Sequence, residues 1–286
     1  MEKAYTLGLY EKSMPASLSW KEKLTAAKNA GFDFVEISID ETDEKLERLY
    51  MPKLERLELV QTMYETGIPI RTMCLSGHRK YPLGSNDPKI CQRGMEIMEQ
   101  AIELADDLGI RIIQLAGYDV YYETGSKETE ERFAKNLRKA VDMAASAGVL
   151  LGFETMETEF MNTVEKSMRY VSSIHSTYLN VYPDSGNIKN ASVTYGTNVF
   201  EDLKKGAGHL TSMHLKETVP GKFREIPFGT GHVDFESMIK TAWELGVRKY
   251  VTEFWYTGNE KWEEDLSFAR SMMGAILDRQ CEMSWY

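Results

Sequence analysis

The chain has 286 residues, 42% of them hydrophobic and 27% charged, with a net charge of −10. That length and balance fit a globular protein with a large core, either about two domains of ~150 residues or one β/α barrel, which commonly takes ~250. The acidic excess excludes a nucleic-acid or anionic-membrane surface, which needs clustered Lys and Arg; a small phosphorylated substrate needs only a few local cations.

Short β-rich runs alternate with longer amphipathic ones from end to end. The first four strands are expected at 6–10 (TLGLY), 32–39 (FDFVEISI), 68–76 (IPIRTMCLS) and 110–117 (IRIIQLAG). Four more are expected at 149–155 (VLLGFET), 178–184 (YLNVYPD), 209–217 (HLTSMHLKE) and 249–255 (KYVTEFW). Between them, stretches such as 21–30, 94–108 and 131–147 repeat apolar residues at three- and four-residue steps, giving helices with one core-facing stripe. Gly31, Gly67, Gly109, Gly148 and Gly246 stand where helices should stop before the next strand. Strict strand–helix alternation predicts parallel strands, and eight units predict a single (β/α)8 barrel spanning residues 1–286. An open doubly wound sheet is disfavoured because the first loop, LGLYEKSMP, has no GxGxxG.

Cys74, Cys91 and Cys281 are widely spaced and form no CxxC pair, which predicts reduced thiols and no cysteine metal site. The N-terminus, MEKAYTLGLYEKS, has no apolar signal region, and no run approaches membrane-spanning length. A soluble cytoplasmic protein is the expectation, with no membrane partner.

Active sites of such barrels form at the C-terminal ends of the strands. The polar residues late in strands five to eight are Glu154, Asp184, His214 and Glu253, separated by 30, 30 and 39 residues, about one β/α unit each. Singly, each also fits a helix cap or a satisfied polar side chain. Jointly, three carboxylates at one barrel mouth repel unless positive charge lies between them. Three carboxylates and an imidazole make a shell for one divalent metal ion, Zn²⁺ or Mn²⁺ foremost, with Co²⁺ and Mg²⁺ also suited. Glu154 and Glu253 can then act as a pair of bases on opposite faces of a substrate. One removes a proton beside a carbonyl and the other delivers one, which inverts that carbon.

The runs LGLYEK, GFDFVEISIDETDE, CLSGHRKYPLGS, IQLAGYDVYY, YPDSGN, GHLTSMHLKET and PFGTGHVDF resemble the L-ribulose-5-phosphate (L-xylulose-5-phosphate) 3-epimerases. These enzymes of bacterial L-ascorbate and related pentose catabolism belong to the xylose-isomerase-like barrel superfamily. The likeness covers essentially the whole chain apart from its last few residues. The resemblance implies a Glu–Asp–His–Glu metal set on Glu154, Asp184, His214 and Glu253, with Glu154 and Glu253 as the acid/base pair. It implies C3 inversion of a pentulose 5-phosphate, with L-xylulose 5-phosphate and L-ribulose 5-phosphate as the two epimers. Some sugar 3-epimerases without phosphate specificity carry histidine where this chain has Asn187, which can still donate a hydrogen bond to a sugar hydroxyl but not as a cation.

A phosphate needs cations, and barrels often bind it with loops after strands seven and eight. The loop after strand seven carries Lys216, Lys222 and Arg224; the loop after strand three carries His78, Arg79 and Lys80. Lys216 is expected to point inward beside His214, toward phosphate or paired with Glu11 or Glu36. Glu11, Glu36 and Gln114 are expected near the ends of strands one, two and four, reaching sugar hydroxyls or supporting the residues that do. Tyr118, Tyr121 and Tyr122 wall the pocket or form a homodimer contact. The competing readings are a free-ketose 3-epimerase or aldose–ketose isomerase on the same scaffold, a multi-zinc endonuclease-type hydrolase, for which five histidines are too few, and a non-catalytic sugar-binding protein.

Overall fold

The computed structural model describes residues 3–283; the ends of the expected 1–286 domain, residues 1–2 and 284–286, lie outside the described residues. Eight strands form one parallel sheet: β1 (Thr6–Tyr10), β2 (Phe34–Ile39), β3 (Ile70–Leu75), β4 (Ile112–Ala116), β5 (Leu150–Glu154), β6 (Leu179–Tyr182), β7 (Met213–Leu215) and β8 (Lys249–Thr252). Their order is β6-β5-β4-β3-β2-β1-β8-β7. The β6–β7 seam closes through isolated bridges, in which the Val181 amide donates to the His209 carbonyl at 2.8 Å and the His214 amide to the Pro183 carbonyl at 3.0 Å. The result is a nearly closed α/β barrel of the TIM type, as the alternation predicts.

The helices are α1 (Trp20–Asn29), α2 (Asp43–Glu47), α3 (Lys53–Thr66), α4 (Pro88–Leu108), α5 (Lys127–Ala147), α6 (Val164–Ile174), α7 (Ser185–Tyr195), α8 (Val199–Lys204), α9 (Phe235–Glu244) and α10 (Trp262–Met283). Local chemistry sets their ends. Asp87 caps α4 with its side chain on the Lys89 amide and Pro88 in the first turn, so α4 begins before the expected residue 94. α4 and α5 end at Gly109 and Gly148, both at φ 70°, a conformation that penalises any residue with a Cβ. Among the described residues, no helix is long and apolar enough to cross a membrane.

Alternation divides each strand between two cores. Outward residues such as Leu7, Leu9, Ile37, Met73, Ile113 and Leu151 pack under the helices. Inward residues Tyr10, Phe34, Cys74, Ile112, Tyr182 and Val251 fill the barrel interior. Gly8 makes that filling possible: a Cβ there would lie 2.4 Å from the Phe34 ring, so the Phe34 side chain uses the space above the glycine.

β7 has only three residues where nine were expected. Residues 209–212 reach β6 by single bridges rather than a ladder, and Pro183 at the end of β6 offers no amide hydrogen to extend pairing. The short β7 still suffices to turn His214 inward between the outward Met213 and Leu215.

Candidate active site

Glu154 is the last residue of β5, Asp184 and Glu253 follow β6 and β8, and His214 is the centre of β7. One ligand atom from each of the four lies within 4.8 Å of the others, and all four residues are buried. In Asp184 a helix cap and a candidate ligand oxygen share one carboxylate. Its Oδ1 accepts the Asn187 amide at 2.7 Å and so caps α7, while Oδ2 is buried and accepts no hydrogen bond. Lys216 Nζ lies 3.0 Å from that Oδ2, in ion-pair range but without hydrogen-bonding alignment, and 3.6 Å from Glu253 Oε2. Thus Lys216 points inward as expected, but its partners are Asp184 and Glu253 rather than Glu11 or Glu36.

His214 is gripped on both ring nitrogens. Nδ1 donates to Glu253 Oε2 at 2.9 Å and lies 3.9 Å from both Glu154 and Asp184; Nε2 donates to Glu36 Oε1 at 2.6 Å. Burial alone would push this imidazole down, but the Glu36 and Glu253 charges outweigh it and raise its pKa well above the ordinary value. The carboxylates divide. Burial, then the Glu253 charge, pushes Glu154 up to about 8. Burial pushes Asp184 up to about 7 against the pull of Lys216. Burial acts on Glu253 too, but Lys216 and His214 overcome it and hold it low.

This donor set fits a divalent cation. Three buried carboxylates and one imidazole converge, one carboxylate oxygen is left without a hydrogen bond, and the raised Glu154 and Asp184 mark a group with more negative charge than Lys216 and His214 balance.

The adjoining cavity, about 80 Å³, is lined by Glu154, Glu253, Lys216 and Asn187 and, among others, by Lys12, Arg79, Glu157, Arg224 and Trp255. A larger groove of about 600 Å³ runs between α5 and α6 on the outer face, away from these groups. Asn187 donates its Nδ2 hydrogen to the Thr155 carbonyl at 2.7 Å, leaving Oδ1 buried and unpartnered. Arg79 and Arg224 both approach Glu157.

Other expected contacts lie elsewhere. Glu36 and Gln114 are fully buried beneath His214, with the Gln114 carboxamide 3.0 Å from Nδ1 and the Tyr182 hydroxyl donating to Glu36 Oε2 at 3.0 Å, so neither lines the cavity. His78 turns away into the helical layer, its Nε2 3.0 Å from the Gly94 carbonyl, where burial pushes its pKa down to about 4. Glu11 is held by Lys45 at 2.9 Å, Lys23 at 3.2 Å and Arg48 at 2.6 Å, which fixes the first loop rather than a ligand. Tyr118 and Tyr121 bond Glu157, and Tyr122 bonds Glu41.

Two charged cavity residues escaped sequence reasoning: Lys12, paired with Asp40, and Glu157. Both are charged residues two or three positions past a strand's C-terminal end, a position that was the available signal.

Residues 24–272 match the family of xylose isomerase-like TIM barrels. The L-ribulose-5-phosphate 3-epimerase UlaE of Salmonella heidelberg (strain SL476) is 43% identical over 276 residues, covering 96% of each chain. The enzyme of the same name from Escherichia coli O139:H28 is 42% identical over the same share. Among solved structures, an L-ribulose 3-epimerase superposes with a TM-score of 0.78 at 20% identity, covering 98% of this chain and 97% of that one. A D-allulose 3-epimerase from Methylomonas sp. gives 0.78 at 15% identity, covering 96% and 98%. The last two likenesses establish the fold alone, whereas the curated relatives match along nearly the full length at an identity that shared architecture does not produce. The chain belongs to the L-ribulose-5-phosphate 3-epimerase family and is an enzyme of the isomerase class.

Proposed function

We propose that the protein is a metal-dependent 3-epimerase that interconverts L-xylulose 5-phosphate and L-ribulose 5-phosphate by two-base proton transfer. The observation that carries this reading is the convergence of two glutamates, from the ends of β5 and β8, on one cavity beside Asp184 and His214. Glu154, Asp184, His214 and Glu253 would hold the cation. The bound cation supplies Lewis acidity that stabilises negative charge on the substrate's oxygens.

One glutamate takes the C3 proton from its side of the sugar, leaving an enediolate, and the other returns a proton to the opposite face. Glu36 holds the Nε2 hydrogen of His214, which keeps Nδ1 turned toward the carboxylates. Lys216, charged beside Asp184 and Glu253, offsets the negative charge that builds in the pocket. Asn187 Oδ1, buried without a partner, accepts a hydrogen bond from a sugar hydroxyl, while one Nδ2 hydrogen is held by the Thr155 carbonyl. Arg79 and Arg224, with Lys12, take the phosphate.

The test follows L-xylulose 5-phosphate in D₂O by proton NMR, with and without a chelator. Loss of the C3 proton signal, appearance of L-ribulose 5-phosphate, and suppression of both by the chelator are expected. Persistence of the C3 proton would end the 3-epimerase reading.

A further inference from the structure

The cavity is small for its proposed ligand. Its volume of about 80 Å³ falls well short of the ~300–1,000 Å³ usual for small-molecule sites, so something at the mouth must give way. At that mouth, donors from three loops converge on Glu157. Arg224 Nη2 lies 3.3 Å from Oε1 and Arg79 Nη2 lies 3.7 Å from the same atom. The Tyr121 hydroxyl donates to Oε1 at 3.4 Å and the Tyr118 hydroxyl to Oε2 at 3.1 Å. Two guanidiniums sharing one oxyanion, with hydroxyls beside them, is how proteins hold phosphate. Here the anion belongs to the chain itself.

The two arginines differ in freedom. Arg79 is mostly buried against the Tyr118 and Tyr121 rings, with its charge 5.8 and 5.1 Å from their centroids. Arg224 is 47% exposed, on the loop joining β7 to α9. The far end of that loop is pinned by buried Glu217, which accepts the Gly229 and Val233 amides, each at 3.1 Å. The Arg224–Glu157 pair therefore ties the stretch carrying Phe223 and Arg224 to the loop after β5, on the cavity rim.

We propose that Glu157 is an internal stand-in for the substrate phosphate. It occupies the arginine pair until a phosphate dianion displaces it, and it thereby sets how strongly the site prefers phosphorylated over unphosphorylated ligands. This rests on the phosphorylated-ketopentose reading above. A neutral sugar has no charge with which to take the arginines from Glu157, so it does not release the tie across the mouth. A dianion does, and Glu157 keeps the Tyr118 hydroxyl on its other oxygen when it yields them.

The test is titration calorimetry of inorganic phosphate, at pH 8 and low ionic strength, against wild type, Glu157→Gln and Arg224→Met. Glu157→Gln keeps the size and one acceptor oxygen for the tyrosine hydroxyls but removes the competing charge, so the phosphate Kd should fall about tenfold, which is what one carboxylate charge ~6 Å from a dianion is worth at a water-like dielectric. Arg224→Met should weaken binding. If Glu157→Gln lowers the Tm, Glu157→Ala gives the same sign, because charge rather than shape is at issue. A Kd unchanged or raised in the glutamate variants means that Glu157 buttresses the arginines instead, and the proposal is overturned. Phosphate binding that ignores Arg224→Met overturns it equally. Kinetics with phosphorylated and unphosphorylated L-xylulose separate the two levels: a wild type with no preference between them sinks the substrate reading itself, whereas a clear preference alongside an indifferent Glu157→Gln sinks only the role of Glu157.

Discussion

Replacing Glu36 with glutamine removes a charge from behind the site without altering what lines it. Glu36 is fully buried, its Oε1 accepts His214 Nε2 at 2.6 Å, and its Oε2 accepts the Tyr182 hydroxyl at 3.0 Å. A hydrogen bond to a charged group is worth about 1.5–3 kcal/mol. Partners behind a metal-ligating histidine are typically worth about 10–100-fold in metal affinity. The two routes agree, since about 1.4 kcal/mol is tenfold. Glu36→Gln should therefore raise the Kd for Mn²⁺ by about 10–100-fold in chelator competition. Because Glu36 does not touch the cavity, kcat at saturating Mn²⁺ should recover most of the wild-type value, a split between metal affinity and turnover that general destabilisation would not give. Tyr182→Phe keeps the carboxylate charge and its bond to His214 Nε2 and loses only the tyrosine hydroxyl from Oε2, so it should weaken Mn²⁺ less. A Glu36→Gln Kd within about threefold of wild type would refute the idea that Glu36 orients His214 for a cation.

Glu154→Gln and Glu253→Gln should each cost about 10²–10⁴ in kcat, the usual share of a positioned acid or base, and near-normal epimerisation in both would remove the two-base mechanism. Glu11→Gln tests the buried cluster under the first loop. Burial alone would raise Glu11, but Arg48, Lys23 and Lys45 outweigh it and bring its pKa from 4.5 to about 2, worth about 3 kcal/mol of stability. Lys23 does not offset this loss: burial already lowers its pKa, and Glu11→Gln removes the charge that holds it up, so the net loss should be at least about 3 kcal/mol. A carboxylate held low contributes fully above its unfolded pKa and loses that contribution as pH falls through its folded pKa. The gap between variant and wild type in urea unfolding should thus be full at pH 7 and close between about pH 4.5 and 2; a pH-independent gap would refute the electrostatic account. Gly8→Ala should destabilise the barrel by about 1–3 kcal/mol, read as a lower Tm, because its Cβ would meet the Phe34 ring at 2.4 Å; an unchanged Tm would show that Phe34 repacks freely.

What the sequence reveals here is depth along a strand, and what it hides is direction beyond one. Alternation and strand ends are local properties, so Glu154, Asp184, His214 and Glu253 could be placed at one level before any coordinates, and they do meet. For Glu36 the same ruler left two readings open, a sugar hydroxyl or support for another residue, and the geometry favours the second. Glu36 lies three residues before the end of β2, inward like Ser38 but a layer deeper, where it supports His214 instead of facing a ligand. In loops the ruler fails altogether. His78 and Arg79 are neighbours in one tight helical turn, where each residue rotates the side chain by about 120°, and so one enters the helical layer while the other reaches the cavity. The loops, however, supply the second half of the site's logic. The strand ends concentrate negative charge on Glu154, Asp184 and Glu253, and the loops add Lys12, Arg79 and Arg224 to the same cavity. A ligand with a carbonyl and hydroxyls at one end and a phosphate at the other can satisfy both only in one orientation. Such polarity would present C3 to the two glutamates before any individual hydroxyl is recognised.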